Sequence, residues 1–466
     1  MLRLAKGATL KGAPKVSKYP EVRPVSIRSY GDQYPGRSLI YAEGKKNIGL
    51  IGEGIIDGNG LSLDFVLNSD DKPFGIRFIS CRNVLYEGIT LKNSGFWMMH
   101  NLNCDSLTIR NITIVNHSYG NNDGINIDGC RKVLVEHCNV DSNNDPVVIK
   151  TMSIDAPAED IVVRNCVFGT YSRAIKVGTE TYAPVRNVHV HDCTVKYSTK
   201  GPLGSALPGK CGILLSVVDG GSLDNITVEN IDIRGVSTPV FIRLGDRGNT
   251  YADSIPPLPV GALKNVRLEN ITADAASGIT SSISGIPVHP VENIVLKNIS
   301  LTLPGGGKAV AEGTFIPENA GGKPEHDMFG EILPSYGWFI RHVNGLTLDN
   351  VCVTLRDADE RPELYFEDTV QIRQVACGVV TALHERSDLS LKIYPNPSQD
   401  AFYLVLPAEM NTAIVECRDI TGRLIWRRSA YSGQQRVDWK AEPAGVYFIQ
   451  ATDHTGKSAM ARIIRK

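Results

Sequence analysis

Apolar residues fall at positions x, x+2, x+5 and x+7 in unit after unit along most of the chain. The series begins at Val84/Tyr86/Ile89/Leu91 and runs through Leu107/Ile109/Ile112/Ile114, Val133/Val135/Cys138/Val140 and Ile161/Val163/Cys166/Phe168. Val188/Val190/Cys193/Val195, Ile226/Val228/Ile231/Ile233, Ile294/Leu296/Ile299/Leu301 and Leu346/Leu348/Val351/Val353 continue it. Period-two alternation means strand, so each unit predicts two short strands whose phase breaks once between them. Asn often stands at the break (Asn111, Asn165, Asn230, Asn270, Asn298, Asn350); it tolerates the left-handed conformation that a sharp bend needs. The first units start at residues 84, 107, 133, 161 and 188, a spacing in the twenties with no helical pattern. Such a repeat predicts a solenoid. Its β-branched inward columns favour an all-β, right-handed parallel β-helix over a leucine-rich horseshoe. Wider spacing later in the chain predicts inserted loops around residues 196–211, 248–262 and 303–340.

The repeat stops after Asp357-Ala358-Asp359-Glu360-Arg361-Pro362. The expected organisation is a β-helix over residues 1–375, a linker over 376–390 and a small β-sandwich over 391–466, where short strands alternate with turn signals. The sandwich segment opens with Tyr394-Pro395-Asn396-Pro397, carries Gly422-Arg423 and closes near Gly445-Val446-Tyr447-Phe448. In these marks it resembles the C-terminal sorting domain of type IX secretion cargo, which implies a secreted or cell-surface protein and the type IX machinery as a partner. An ordinary adhesion or carbohydrate-binding sandwich is the other reading.

Net charge is −1 over 466 residues, which argues against a nucleic-acid partner or a strongly membrane-attracted surface. No apolar run is long enough to span a bilayer. The N-terminus, Met1-Leu2-Arg3-Leu4, is already strand-like and lacks a secretory apolar core. With an export tail, that predicts a longer natural chain; a cytoplasmic protein is the competing reading. A monomer is expected. Of the ten cysteines, Cys138, Cys166 and Cys193 share the x+5 column, so buried free thiols explain them better than disulfides. No spacing argues for zinc, and His189 and His191 read as surface residues. No metal or cofactor is expected.

A third strand follows several units, marked by Ile125/Ile127, Val147/Ile149, Ile175/Val177 and Ile213/Leu215. Two residues ahead of these stand Asp123, Asp145, Arg173 and Cys211. Equal phase stacks them on neighbouring coils, roughly 4.8 Å apart. Two carboxylates that close cannot both ionise freely, and paired carboxylates are the equipment of glycosidic hydrolysis. Singly, either Asp could simply cap a bend. Together with Arg173, Lys176 and Glu180 on the next coil they predict a site.

These segments resemble glycoside hydrolase family 28, the polygalacturonases and rhamnogalacturonan hydrolases. The first family signature, NTD, stands as Asn121-Asn122-Asp123, and DDxIxxK stands as Asn144-Asp145-Pro146-Val147-Val148-Ile149-Lys150. Gly95-Phe96-Trp97, Thr238 through Leu244 and Arg341-His342-Val343 add to the match. The resemblance implies a pectic polysaccharide substrate and Asp123 and Asp145 as the catalytic pair that activates water, with inversion. Asn122, Asn144, Lys150 and Glu180 are candidate substrate contacts beside them, and on a hydrolase account Arg173, Lys176, Arg243 and Arg247 would bind a negatively charged sugar placed differently from the family's galacturonate. The departures matter. The family's proton donor falls on Asn144, its GHG histidine on Arg173, and its carboxylate-gripping RIK on Leu214-Leu215-Ser216. Three accounts follow: a hydrolase with a replaced acid (Asp123, Asp145 or Glu180), a binder of pectic glycan without turnover, and a β-helix lyase. Trp97 is expected to pack rather than to platform a sugar.

Overall fold

The computed structural model describes all residues except 119, 200–207, 253, 376, 378–390, 408–409, 420–423, 440–441, 454–457 and 466. Residues Met1–Cys377 form one compact unit and Gly378–Lys466 a second. In the first, the described strands form one sheet of 26 strands wound into a β-helix. Each coil stacks on the next in parallel and in register: Leu107 opposite Val133, Val133 opposite Ile161, Ile161 opposite Val188, Val188 opposite Ile226. Register places like side chains in columns, and the inward columns form one continuous buried core. A shift of one residue would turn that whole set outward, so the alternation itself pins the register.

The bends are built as the sequence predicts. Asn111, Asn165, Asn230, Asn270, Asn298 and Asn350 all adopt φ between 52° and 55°. Their amides form a ladder: Asn270 Nδ2 donates to Asn230 Oδ1 at 3.0 Å, Asn298 to Asn270 at 2.9 Å and Asn350 to Asn298 at 3.0 Å. Asn270→Ala would lose two rungs and force a Cβ-bearing residue without the amide into the left-handed region. The expected cost is about 2 kcal/mol in denaturant unfolding, with Asn270→Gly recovering roughly half.

Eight cysteines are free and buried, but Cys352 and Cys377 form a disulfide. Cys138, Cys166 and Cys193 are among the buried thiols, as the x+5 column predicts; the bonded pair lies at the end of the repeat, outside that column, where the column predicts nothing. His189 and His191 lie on the outer wall, each beside a carboxylate (Glu229 at 2.8 Å, Asp192 at 2.6 Å).

Five strands position the site: β1 (Met99–Leu102), β2 (Ile125–Asp128), β3 (Val147–Thr151), β4 (Arg173–Thr181) and β5 (Gly209–Val217). Two long segments cover their outward face. On one side, residues 12–37 lie over it, with Tyr30 and Tyr34 against Phe74, Phe96, Trp97 and Met152. On the other, the 303–337 insertion packs Ile316, Phe329 and Leu333 onto Cys211, Leu214, Phe241 and Phe339. Between the covers lie the polar side chains of β2, β3 and β4.

The second unit holds a three-stranded and a four-stranded antiparallel sheet that share one apolar core with Phe402 against Trp439 at 4.8 Å. Gly445 lies within a strand, whereas Gly422-Arg423 and nearly all of the expected linker fall outside the described residues.

Candidate active site

Ile125 pairs with Val147 and Val147 with Ile175, so the residues just ahead of β2, β3 and β4 come into one column. The Gly124 N–H donates to the Asp145 carbonyl at 2.9 Å, and that of Met98 to the Asp123 carbonyl at 2.9 Å. These backbone bonds hold Asp123 and Asp145 on neighbouring coils at a bend, each with 2% of its surface exposed.

The two carboxylates sit in opposite fields. Asp145 Oδ2 accepts from Lys176 Nζ at 2.8 Å, and its Oδ1 accepts from the Arg173 backbone N–H at 3.1 Å, with the Arg173 guanidinium 3.9 Å away. Burial alone would raise its pKa, but the charges of Lys176 and Arg173 outweigh it and hold Asp145 below the usual carboxylate range. Among the described residues no cation forms an ion pair with Asp123. Its Oδ1 accepts from Asn144 Nδ2 at 2.7 Å. Burial first, and the charge of Asp145 second, push it up to about 6.

Around the pair, Lys150 Nζ lies 3.8 Å from Glu180 Oε2 and 3.8 Å above the Trp97 ring. Trp97 is buried and packed, as expected. Glu180 is held as an anion below its ordinary pKa: burial opposes, and Lys150, Lys176 and Arg247 outweigh it. Arg247 is 3.7 Å from Glu180 and bonds Asp219 through two nitrogens at 3.0 and 2.5 Å. Asn122 is fully buried and donates to the carbonyls of Ser94 and Phe96, a scaffold role. Asp123, Asp145, Asn144, Lys150, Arg173, Lys176 and Glu180 are thus brought together.

Arg243 is not. It is fully buried and donates to the Gly285 and Glu318 carbonyls at 2.8 and 2.7 Å, with Phe329 beneath its guanidinium. It anchors the 303–337 insertion to the coil.

Several residues near the site carried no signal in the repeat. Tyr34 is half-buried within the fields of Glu180 and Asp123, and burial followed by Glu180 keeps its phenol protonated. From the 303–337 insertion, Glu325 contacts the Arg173 guanidinium, and Lys323 reaches Glu325 at 2.9 Å. His326, buried beside them, is pushed down to about 4 by burial and stays neutral at working pH. Among the described residues no group of three or more His, Cys, Asp or Glu side chains could hold a metal ion.

Two stretches of the chain match known families. Residues 24–321 match the description "Glycosyl hydrolases family 28", and residues 392–466 match "Secretion system C-terminal sorting domain". The tail addresses the chain for export to the cell surface or beyond, and no described helix is long and apolar enough to cross a membrane. A probable polygalacturonase of Vitis vinifera is 24% identical over 300 residues, 59% of this chain and 57% of that one. An exopolygalacturonase of Cochliobolus carbonum is 22% identical over 272 residues, 54% of this chain and 58% of its own length. The chain thus spans little more than half the length of these relatives. Among solved structures, the family 28 exopolygalacturonase of Yersinia enterocolitica aligns at a TM-score of 0.58 with 15% identity, covering 81% of this chain and 69% of that one. The Thermotoga maritima exopolygalacturonase gives 0.51 and 22%, covering 65% and 75%. At such identities the structures testify to the fold. The sequence match, spanning well over half of the chain, says more: this protein belongs to the glycosyl hydrolases family 28.

Proposed function

We propose that the protein is a glycoside hydrolase that cleaves a pectic, galacturonate-containing polysaccharide with Asp123 as proton donor and Asp145 as the carboxylate that orients water. One observation carries the assignment: two stacked carboxylates whose surroundings drive them to opposite protonation states. Such a divergence separates acid from base in one site. Asp123, pushed up to about 6, holds a proton in mildly acid conditions and can deliver it to the leaving oxygen. Asn144, standing where the family has its donor, supplies no proton but grips Asp123 Oδ1 and leaves Oδ2 for the transferable hydrogen. Asp145 is bound to a cation through Oδ2 and to a backbone N–H through Oδ1. That engagement disfavours covalent attack by Asp145 and leaves water as the nucleophile, with inversion at the anomeric carbon. The oxocarbenium-like transition state benefits from a nearby anion even where that anion is a weak base.

Lys150, Arg173, Lys176 and Arg247 supply the positive surface for a uronate polymer, and Glu180 and Tyr34 the further polar contacts. In the domain organisation we infer, residues 1–375 carry this chemistry and 391–466 the export signal.

The test is release of reducing ends from homogalacturonan, rhamnogalacturonan and xylogalacturonan, with ultraviolet absorbance of unsaturated uronate followed in the same samples. Reducing ends without absorbance, and inversion by NMR of the first product, are expected. Absorbance would sink the hydrolase reading in favour of a lyase, and retention on a polymer without product would leave a binding protein. A further expectation concerns Lys176→Met. It removes the strongest charge holding Asp145 down, so the acid limb of the kcat profile moves to higher pH. An unmoved limb would show that Asp145 is not the ionised partner.

A further inference from the structure

We infer that Glu325 is an internal stand-in for a uronate carboxylate, seated in a subsite formed by Arg173 and Lys323 that substrate takes over. The inference rests on the pectic reading above and adds to it a site outside the repeat. The Arg173 guanidinium contacts Glu325 Oε2 on one side and lies 3.9 Å from Asp145 on the other, while its buried Nε has no hydrogen-bond partner among the described residues. Lys323 Nζ holds the other oxygen, Oε1, at 2.9 Å. Two cations, the buried Arg173 and the exposed Lys323, thus meet on the two oxygens of one carboxylate. A carboxylate is the anion that completes them, and a planar guanidinium suits one well.

Glu325 is the resident, but a replaceable one. Its side chain remains one-quarter exposed, whereas the chain around it is firmly held. The Met328 N–H donates to the Glu325 carbonyl at 3.0 Å, Arg341 to the Ile316 carbonyl at 3.0 Å and Arg243 to that of Glu318 at 2.7 Å. Phe329 is buried against Phe241 and Phe339. Exchange therefore needs a side-chain swing of Glu325 and no opening of the insertion. A free uronate can replace Glu325 charge for charge; a methyl ester cannot. The subsite thus selects de-esterified polymer, and Glu325 sets the threshold that a ligand must exceed.

The experiment is calorimetric titration of trigalacturonate, and of its methyl ester, into the full chain, its Glu325→Gln variant and its Lys323→Gln variant. Glu325→Gln, close to isosteric, should tighten trigalacturonate by about 5- to 10-fold and leave the ester unchanged. Lys323→Gln should weaken trigalacturonate several-fold, again sparing the ester. Equal tightening of both ligands, unchanged affinity, or weaker binding by Glu325→Gln would overturn the inference, as would failure of trigalacturonate to bind any of the three proteins. These are binding readouts, so a chain that binds trigalacturonate but releases no reducing ends refutes the hydrolase reading and leaves this one decided on its own terms.

Discussion

Asp145→Asn should reduce hydrolysis of polygalacturonate by roughly 10³-fold while trigalacturonate binds at least as tightly as before. The direction of the binding change follows from the ion pairs. Lys176 lies 2.8 Å from Asp145 Oδ2 and Arg173 3.9 Å from Oδ1. Removing the anion frees both cations for a uronate, so KM falls while kcat collapses. That split separates loss of chemistry from loss of fold. Stripping a buried cation of its partner also costs stability, about 3–5 kcal/mol where nothing replaces it, and the variant amide recovers part of this by still accepting hydrogen bonds. A variant that keeps its turnover would remove Asp145 from the mechanism.

Asp123→Asn should abolish turnover and yet make the protein more stable above pH 6. Asp123 is pushed from an ordinary 3.8 up to about 6 by burial and by Asp145. Between those values the folded chain holds a proton that the unfolded chain has released, so stability declines as pH rises across that window. Above it, folding keeps a buried charge beside another charge of the same sign. Asn removes that charge and can still accept from Asn144. The expected gain is about 1–3 kcal/mol at pH 7.5 and close to nothing at pH 4, read from denaturant midpoints at the two values. Activity in the unaltered chain should carry a basic limb near pH 6 from the same group. If Asp123→Asn destabilises at both pH values, the carboxyl is not the strained member of the pair.

The repeat was legible because its physics is local and periodic. Alternation gave the strands, Asn at the phase break gave the left-handed bends, and equal phase put Asp123, Asp145 and Arg173 into one column. Insertions obey no period. Nothing in residues 303–337 told that Glu325 would reach Arg173, or that Phe329 would bury Arg243. Arg243 was expected to grip a charged sugar; its donors are instead spent on the carbonyls of Gly285 and of Glu318 in the insertion. Tyr34 was equally hidden, since it reaches the site from a segment ahead of the first recognised unit. Cysteine spacing exposed the buried x+5 column but not the Cys352–Cys377 bond, which joins the penultimate strand to residues beyond the last one.

That disulfide has a mechanical consequence. A solenoid has no closing contact between its two ends, so it can peel, each coil losing its partner once the coil outside it has gone. Strand Leu364–Val375 is the outermost of the described strands of this sheet at the C-terminal end, paired in parallel with Trp338–Leu355. Cys377 follows that strand and is tied to Cys352 on its neighbour. The bond therefore acts as a rivet where unzipping would start. Every coil inward of it, down to the three that hold the carboxylates and their cations, is shielded from that end by a link far along the chain from any of those three.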